Sequence, residues 1–238
     1  MEAYELLKAG ITDIMGECAD ETAEKFKKLT EYMTEYNKNV NLTRITEPMD
    51  VVRLHYLDSA AVFACADIKA GASVIDVGTG AGFPGLVMKL LRPDLRLCLL
   101  DSSNKRIAYL RSAAELLNLT GVDFVHGRAE EVSREKGYRD AFDFAVSRAV
   151  ASLPKLCELC MPYVRPGGRF LSLKGPDAEA EARAAENAVK KLGGGNMQIR
   201  TAPIRGGEVE HYIVSVEKTR PTPAQYPRKN AAIKKEPL

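Results

Sequence analysis

The sequence predicts an α/β protein: a doubly wound, Rossmann-like sheet of about seven strands, its last pair antiparallel, behind an N-terminal helical extension. Three observations carry this expectation. From residue 73 onward, short β-branched runs alternate with stretches of helical length, the pattern of parallel strands joined by right-handed helical crossovers. The first of these runs ends in a cluster of glycines. The last two runs have no helix between them, and strands joined that directly pair antiparallel. Length and composition agree. The chain has 238 residues, 45% apolar and 28% charged, with 34 Lys and Arg against 32 Asp and Glu for a net +2. That suits one α/β domain with an extension, and excludes wholesale disorder and a uniformly basic binder.

Residues 1–67 read as helices. Over 20–38, Ala23, Phe26, Leu29, Met33 and Tyr36 recur at steps of three and four, one apolar stripe of an amphipathic helix with Asp20 as its N-cap. A polar loop over 37–46 precedes a second helix over 48–67, where Pro48 suits the first turn. Strands are expected at 73–77, 95–100, 122–125, 142–146 and 169–173, separated by helices at 84–92, 104–118, 128–135 and 152–164. A charged, Ala-rich helix over 177–192 stops at three glycines, and strands at 197–203 and 209–217 follow. Beyond 218, Pro221, Pro223 and Pro227 oppose regular structure. Lys218, Arg220, Arg228, Lys229, Lys234 and Lys235 against Glu236 give this tail +5, so residues 1–217 carry −3. The chain thus divides into a helical extension (1–67), a main domain (68–217) and a basic tail (218–238). Five scattered cysteines with no secretory leader point to reduced, cytoplasmic thiols. No run approaches the ~18 apolar residues of a membrane span.

The sharpest local signal is Asp76-Val-Gly78-Thr-Gly80-Ala-Gly82-Phe83-Pro84-Gly85. A turn this tight, with backbone pressed on a ligand, needs residues without a Cβ; a ligand-free strand–helix turn is the plain alternative. The dinucleotide fingerprint would place its third glycine where Phe83 stands, so an NAD enzyme is not expected. Glycines at every second position after an acidic residue resemble the first motif of class I methyltransferases, whose cofactor is S-adenosylmethionine. Asp101 ends the next strand 19 residues after Gly82, where a carboxylate can take ribose hydroxyls; Ser102 and Ser103 are available to cap the helix that follows. Arg128-Ala129-Glu130 follows the third strand, the place where methyltransferases of this class hold adenine. Arg148 ends the fourth, where substrate meets cofactor.

The runs NVNLT (39–43), RLHYLDS (53–59), IDVGTGAGFPG (75–85), LLDSSNKR (99–106), GRAEE (127–131), SRAVASL (147–153) and LKG (173–175) resemble the bacterial RsmG family, also called GidB. These are guanine-N7 methyltransferases of small-subunit (16S) rRNA. The resemblance runs to about residue 217. It implies a cofactor site of Gly78, Phe83, Ala129, Glu130 and Arg148, to which the glycine turn adds Gly80 and the strand-end spacing Asp101, with Asn41 and His55 at its mouth. Asn41, His55 and Arg148 are the catalytic candidates, and no metal is implied. The tail keeps the family's Tyr-Pro-Arg and terminal Pro-Leu but has Asn-Ala-Ala-Ile between them.

Guanine N7 carries a lone pair and no proton, so it attacks a sulfonium methyl without a general base and catalysis rests on orientation. N7 lies in the A-form major groove, too narrow for side chains, so the target is a loop or an extruded base. Phosphates are expected on Arg53, Lys105, Arg106, Arg111, Arg128, Arg165, Arg169, Lys174 and the basic tail. The partner is small-subunit rRNA, the chain a monomer. Cys157 and Cys160 read as core thiols, and His126 and His211 as structural. Two other readings compete: a non-catalytic rRNA-binding or assembly factor, and a methyltransferase with another substrate.

Overall fold

A computed structural model describes residues 2–207 and 210–238. Helices α1 (Ala3–Met15) and α2 (Asp20–Asn37) open the chain. Ala23, Phe26, Leu29 and Met33 of α2 are buried, as the stripe requires. Asp20 does not cap this helix. Ala19 holds the N-cap position, and the Asp20 carboxylate is drawn to Lys8 of α1, pinning the two helices together. The second expected helix is broken into α3 (Pro48–Asp50), a π-helical stretch Val51–Leu57, α4 (Asp58–Ala60) and α5 (Val62–Cys65). π-helical turns of this kind concentrate at functional sites, and this one carries His55 and leads into Asp58.

The α/β alternation follows: β1 (Ser73–Val77), α6 (Gly85–Leu91), β2 (Arg96–Asp101), α7 (Asn104–Leu116), β3 (Val122–His126), α8 (Ala129–Val132), β4 (Phe142–Arg148), α9 (Leu153–Cys160), a 3₁₀ turn at Met161–Tyr163, β5 (Val164–Lys174), α10 (Ala178–Lys191), β6 (Gly194–Thr201), β7 (Tyr212–Lys218) and α11 (Asn230–Lys235). The seven strands lie in the order β3-β2-β1-β4-β5-β7-β6. The first five are parallel; β7 runs antiparallel between β5 and β6. This is the doubly wound sheet that the alternation predicts, antiparallel end included. The strand order reverses between β1 and β4, and ligands of such sheets bind at the carboxyl ends beside that switch point.

Strand boundaries differ from expectation, among them those of β5 and β7. β5 begins at Val164 rather than 169, because its register against β4 slips between Phe142 and Phe144. Pro166, Gly167 and Gly168 hide the strand pattern there; a Cβ on Gly168 would stand 2.4 Å from the Asp143 carbonyl. β7 is described from Tyr212; position 209 of the expected strand lies outside the described residues.

Alternate strand residues feed two cores. Val74, Leu97, Leu99, Val146 and Leu171 pack with α1, α2, α6 and α7 on one face. Ile75, Val77, Leu100, Ala145 and Phe170 pack with α9 and α10 on the other. The N-terminal helices therefore share a core with the sheet. Cys157 and Cys160 are fully buried in the second core; burial pushes the Cys157 thiol up to about 12 and the Cys160 thiol well above its usual range, so both are inert core thiols. No helix among the described residues is long and apolar enough to cross a membrane.

The tail is more ordered than its prolines suggest. Lys218 closes β7 fully buried, donating to the carbonyls of Met161 and Val164, to Thr222 Oγ1 and to Asp140. Arg134 and Arg139 donate to tail carbonyls from Thr222 to Pro227. Arg228 forks onto the buried Glu158 carboxylate of α9 at 2.7 and 2.9 Å. Past Pro227 the run Asn-Ala-Ala-Ile-Lys-Lys forms α11 and buries Ile233, since alanines propagate a helix once the prolines end.

Candidate functional site

The turn after β1 is tied down before it reaches any ligand. The amides of Gly78 and Thr79 both donate to the Leu100 carbonyl of β2, at 2.8 and 3.1 Å. Gly78 and Gly80 take the left-handed conformation at φ 73° and 60°, costly for any residue with a Cβ. Beneath the turn, the Asp76 Oδ2 accepts the Thr79 hydroxyl at 2.7 Å and the Gly85 amide at 2.8 Å. Its Oδ1 is buried with no partner, and burial lifts the carboxyl to about 6 against those stabilising hydrogen bonds.

Asp101 is not left free by the serines that follow it. Its Oδ1 accepts the Ser103 amide at 2.8 Å and its Oδ2 the Gly80 amide at 3.0 Å, with Arg106 at 3.4 Å. Ser103 occupies the N-cap of α7 without a side-chain cap bond. A carboxylate two residues upstream reaches that amide in an Asx-type turn, so Asp101 serves both the helix start and the glycine turn. It still faces the cavity, with further lone pairs available to a ligand.

The opposite wall is built on Arg148 at the end of β4. Its guanidinium donates to the Leu54 carbonyl, to Asp58 Oδ2 at 3.0 Å and to His55 Nδ1 at 2.9 Å. Arginine has no acceptor, so His55 Nδ1 must accept, and His55 Nε2–H donates to Thr43 Oγ1 at 3.0 Å. Burial, reinforced by the Arg148 charge, drives His55 down to about 3; it is a neutral imidazole. The Phe83 ring stacks on His55 (centroids 4.5 Å apart, planes 22°) and carries the Arg148 guanidinium 5.4 Å from its centroid. Asp58 Oδ1 accepts a second hydrogen bond, from His211 Nδ1 at 2.8 Å. That bond and the Asp58 charge raise His211 above its usual range.

These residues surround a cavity of about 1260 Å³ at the carboxyl ends of β1, β2, β4 and β5, larger than the roughly 300–1,000 Å³ of a pocket for one drug-sized ligand. Gly78, Gly80, Phe83, Asp101, His55 and Arg148 all line it. Asn41 does not: it is exposed, because Asn37 Oδ1 gathers the amides of Leu42 and Thr43 and turns those two inward instead. Ala129 and Glu130 also stand outside the lining. The Ala129 carbonyl accepts the Tyr163 hydroxyl at 2.7 Å and Glu130 is buried at the start of α8. His126 donates to the Ser102 carbonyl at 3.1 Å, the structural part expected of it. His211 departs from that expectation by lining the cavity.

Sequence reasoning misses Asp58 and His211 as site residues. Asp58 stands in view in the run HYLDS, three residues after His55; His211 is 153 positions from its partner, and no spacing signal connects them.

Several expected phosphate cations are committed elsewhere. Lys174 donates to the Ala151 carbonyl and to Glu181 at 2.9 and 2.8 Å. Arg165 pairs with Asp143 and Arg169 reaches Ser215, both toward the amino ends of the strands, away from the cavity. Lys218 and Arg228 are the buried and ion-paired tail cations already described. Arg44, Lys105, Arg111, Arg128, Lys229, Lys234 and Lys235 remain exposed.

Among known proteins, residues 22–205 match a family model described as rRNA small subunit methyltransferase G. Curated relatives include a "Ribosomal RNA small subunit methyltransferase G" of Moorella thermoacetica, 44% identical over 88% of this chain and 87% of that protein. One of the same name from Alkaliphilus oremlandii is 41% identical over the full length of both. Among solved structures, a SAM-dependent methyltransferase from Aquifex aeolicus shares the fold, with a TM-score of 0.51 and 19% identity over 69% of this chain and 92% of that one.

Proposed function

From the premise that this chain belongs to the rRNA small subunit methyltransferase G (GidB) family, we propose that it is an enzyme that transfers a methyl group from S-adenosylmethionine to N7 of a guanine in small-subunit (16S) rRNA. The observation that carries the reading is the large cavity at the strand carboxyl ends. There the glycine turn, Asp101 and the Phe83–His55–Arg148 wall face one another.

The residues present fit such a cofactor. A Cβ built on Gly80 meets nothing nearer than the Gly78 carbonyl at 4.0 Å, so the turn opens onto free space with Asp101 beside it. Bound there, S-adenosylmethionine would supply an electrophilic methyl on a sulfonium. Gly78, Gly80 and Asp101 would hold its nucleoside part. Arg148 has spent three of the guanidinium's five N–H donors on the protein, and the remainder are available to a carboxylate or phosphate. Phe83 supplies an apolar wall. His55 positions Arg148: both its ring nitrogens are engaged, and protonating Nδ1 would break the bond that Arg148 makes to it. A guanine N7 carries no proton and needs no general base. Rate enhancement therefore comes from alignment, for which effective molarities allow roughly 7–11 kcal/mol.

RNA phosphates would meet the exposed cations around the mouth, Arg44, Lys105 and Arg128, with Lys229, Lys234 and Lys235 as the tail's contribution. The acting unit in this reading is the single chain. Five free thiols are in keeping with the cytoplasm.

Methyl-labelled cofactor incubated with unmodified small-subunit rRNA, followed by nucleoside digestion, tests the proposal. Label in 7-methylguanosine is the expected outcome. Label in another nucleoside, or none in RNA, overturns it.

A further inference from the structure

Asp58 is a counter-ion with two claimants. Its side chain is 4% exposed, and its two oxygens are divided between Arg148 at 3.0 Å and His211 at 2.8 Å. His211 comes from the segment that joins β6 to β7, whose Ala202 amide is bonded to the His211 carbonyl. It brings the antiparallel end of the sheet to the wall that β4 and the N-terminal helices build. With the imidazole protonated, Asp58, Arg148 and His211 sum to one positive charge; with it neutral, they sum to zero. The Nδ1–H donates to Asp58 in both states, so geometry is kept while charge changes.

We propose that His211 is a positioning residue that acts through Asp58 to set the net charge this corner presents to the cavity, so that a carboxylate- or phosphate-bearing ligand binds tighter when His211 is protonated. The inference rests on the reading that the cavity takes S-adenosylmethionine and RNA. Among the described residues, the charged groups facing His211 are Asp58 on α4 and Arg148 on β4. His55, the next titratable group on the π-helical stretch, is held neutral by burial and by Arg148. The Lys174–Glu181 and Arg106–Asp101 pairs elsewhere on the lining are each internally balanced.

The direction follows from the geometry. The bond to Asp58 favours the imidazolium, so the extra charge is fully present below the ordinary histidine range and is lost as pH rises through the elevated value. An anion bound beside Arg148 favours the imidazolium further, and by reciprocity raises the His211 pKa.

The test measures S-adenosylhomocysteine affinity by calorimetry between about pH 6 and pH 8.5 in the wild type, His211→Arg and His211→Gln. All three share the ligand's own amino-group titration, so their ratios isolate the residue. The wild type should follow His211→Arg at low pH and fall toward His211→Gln at high pH, a change of about five-fold or more. Repeating the series with the decarboxylated thioether analogue, and with a short rRNA fragment, tells cofactor carboxylate from RNA phosphate: the ligand whose anion occupies the corner keeps the pH-dependent ratio. Where a variant does not fold, the wild type suffices. The chain has three histidines, and an NMR titration that shows the His211 pKa rising on ligand addition carries the proposal. Parallel affinity profiles in all three proteins, or a His211 pKa that ligand leaves unmoved, overturns it. Wild-type binding without methyl transfer to rRNA would instead strike the functional reading.

Discussion

Arg148 reaches the cavity already committed to Leu54, Asp58 and His55, so its neighbours matter as much as the arginine itself. Asp58→Asn removes the negative charge that holds it, while the Arg148 side chain stays only 15% exposed. Loss of one partner from a fully buried pair costs about 3–5 kcal/mol; with this residual exposure we expect roughly 2 kcal/mol by urea unfolding, together with loss of the pH dependence of cofactor binding. Asp76 offers a second residue-scale test. Its carboxyl is raised to about 6 by burial, so the folded state holds a proton that the unfolded chain releases near pH 4. Stability contributed by this group is therefore present at low pH and lost as pH rises through about 6. Asp76→Asn should flatten that slope, closing a gap on the order of 2 kcal/mol between pH 4 and pH 7 in paired urea melts. An unchanged slope would show that Asp76 does not titrate there.

At the scale of elements, the tail behaves as a strap rather than an arm. Its carbonyls are held by Arg134 and Arg139, and beyond the buried Lys218 it is anchored by Arg228 on Glu158. Arg228→Ala leaves a fully buried carboxylate unpaired and should cost about 2–4 kcal/mol, with residues 219–238 cleaved faster in limited proteolysis. Lys234→Ala and Lys235→Ala, both exposed, should change stability by no more than about 0.5 kcal/mol. The π-helical stretch 51–57 is the other element with a distinct task. It delivers the Leu54 carbonyl and the His55 ring to Arg148 and hands the chain to Asp58, so the three acceptors of one guanidinium lie within five consecutive residues.

Over the whole molecule, a net charge of +2 conceals a division between the two ends of the sheet. Arg165 and Arg169 lie toward the strand amino ends and are bonded to Asp143 and Ser215, whereas Lys105 and Arg128 stand exposed beside the carboxyl ends. Reversing Lys105 or Arg128 to Glu should weaken rRNA binding and lower the slope of log affinity against log salt by about 1 for each phosphate no longer neutralised. Arg165→Glu should leave that slope unchanged. Filter binding across a salt series distinguishes the two faces.

The order of strands and helices, the antiparallel end and the glycine turn are legible because they are local: β-branched alternation, helical spacing and a run of residues without Cβ write themselves into consecutive positions. His55 and Arg148 are found through the short runs around them. Asn41, expected at the mouth, faces solvent, since Asn37 four residues earlier takes the loop's amides. Asp101, expected to be free, is already bonded to Gly80 and Ser103. The tail cations look like one basic patch in the sequence, but Lys218 and Arg228 are spent on buried partners. A sequence lists which groups carry charge and hydrogen-bonding capacity. By itself it determined this protein's sheet, its turn and which polar side chains stand at the strand ends. Which donors and acceptors are consumed by the protein, and which are left for a ligand, is decided by partners such as Asp58 and His211 that only folding brings within 3 Å.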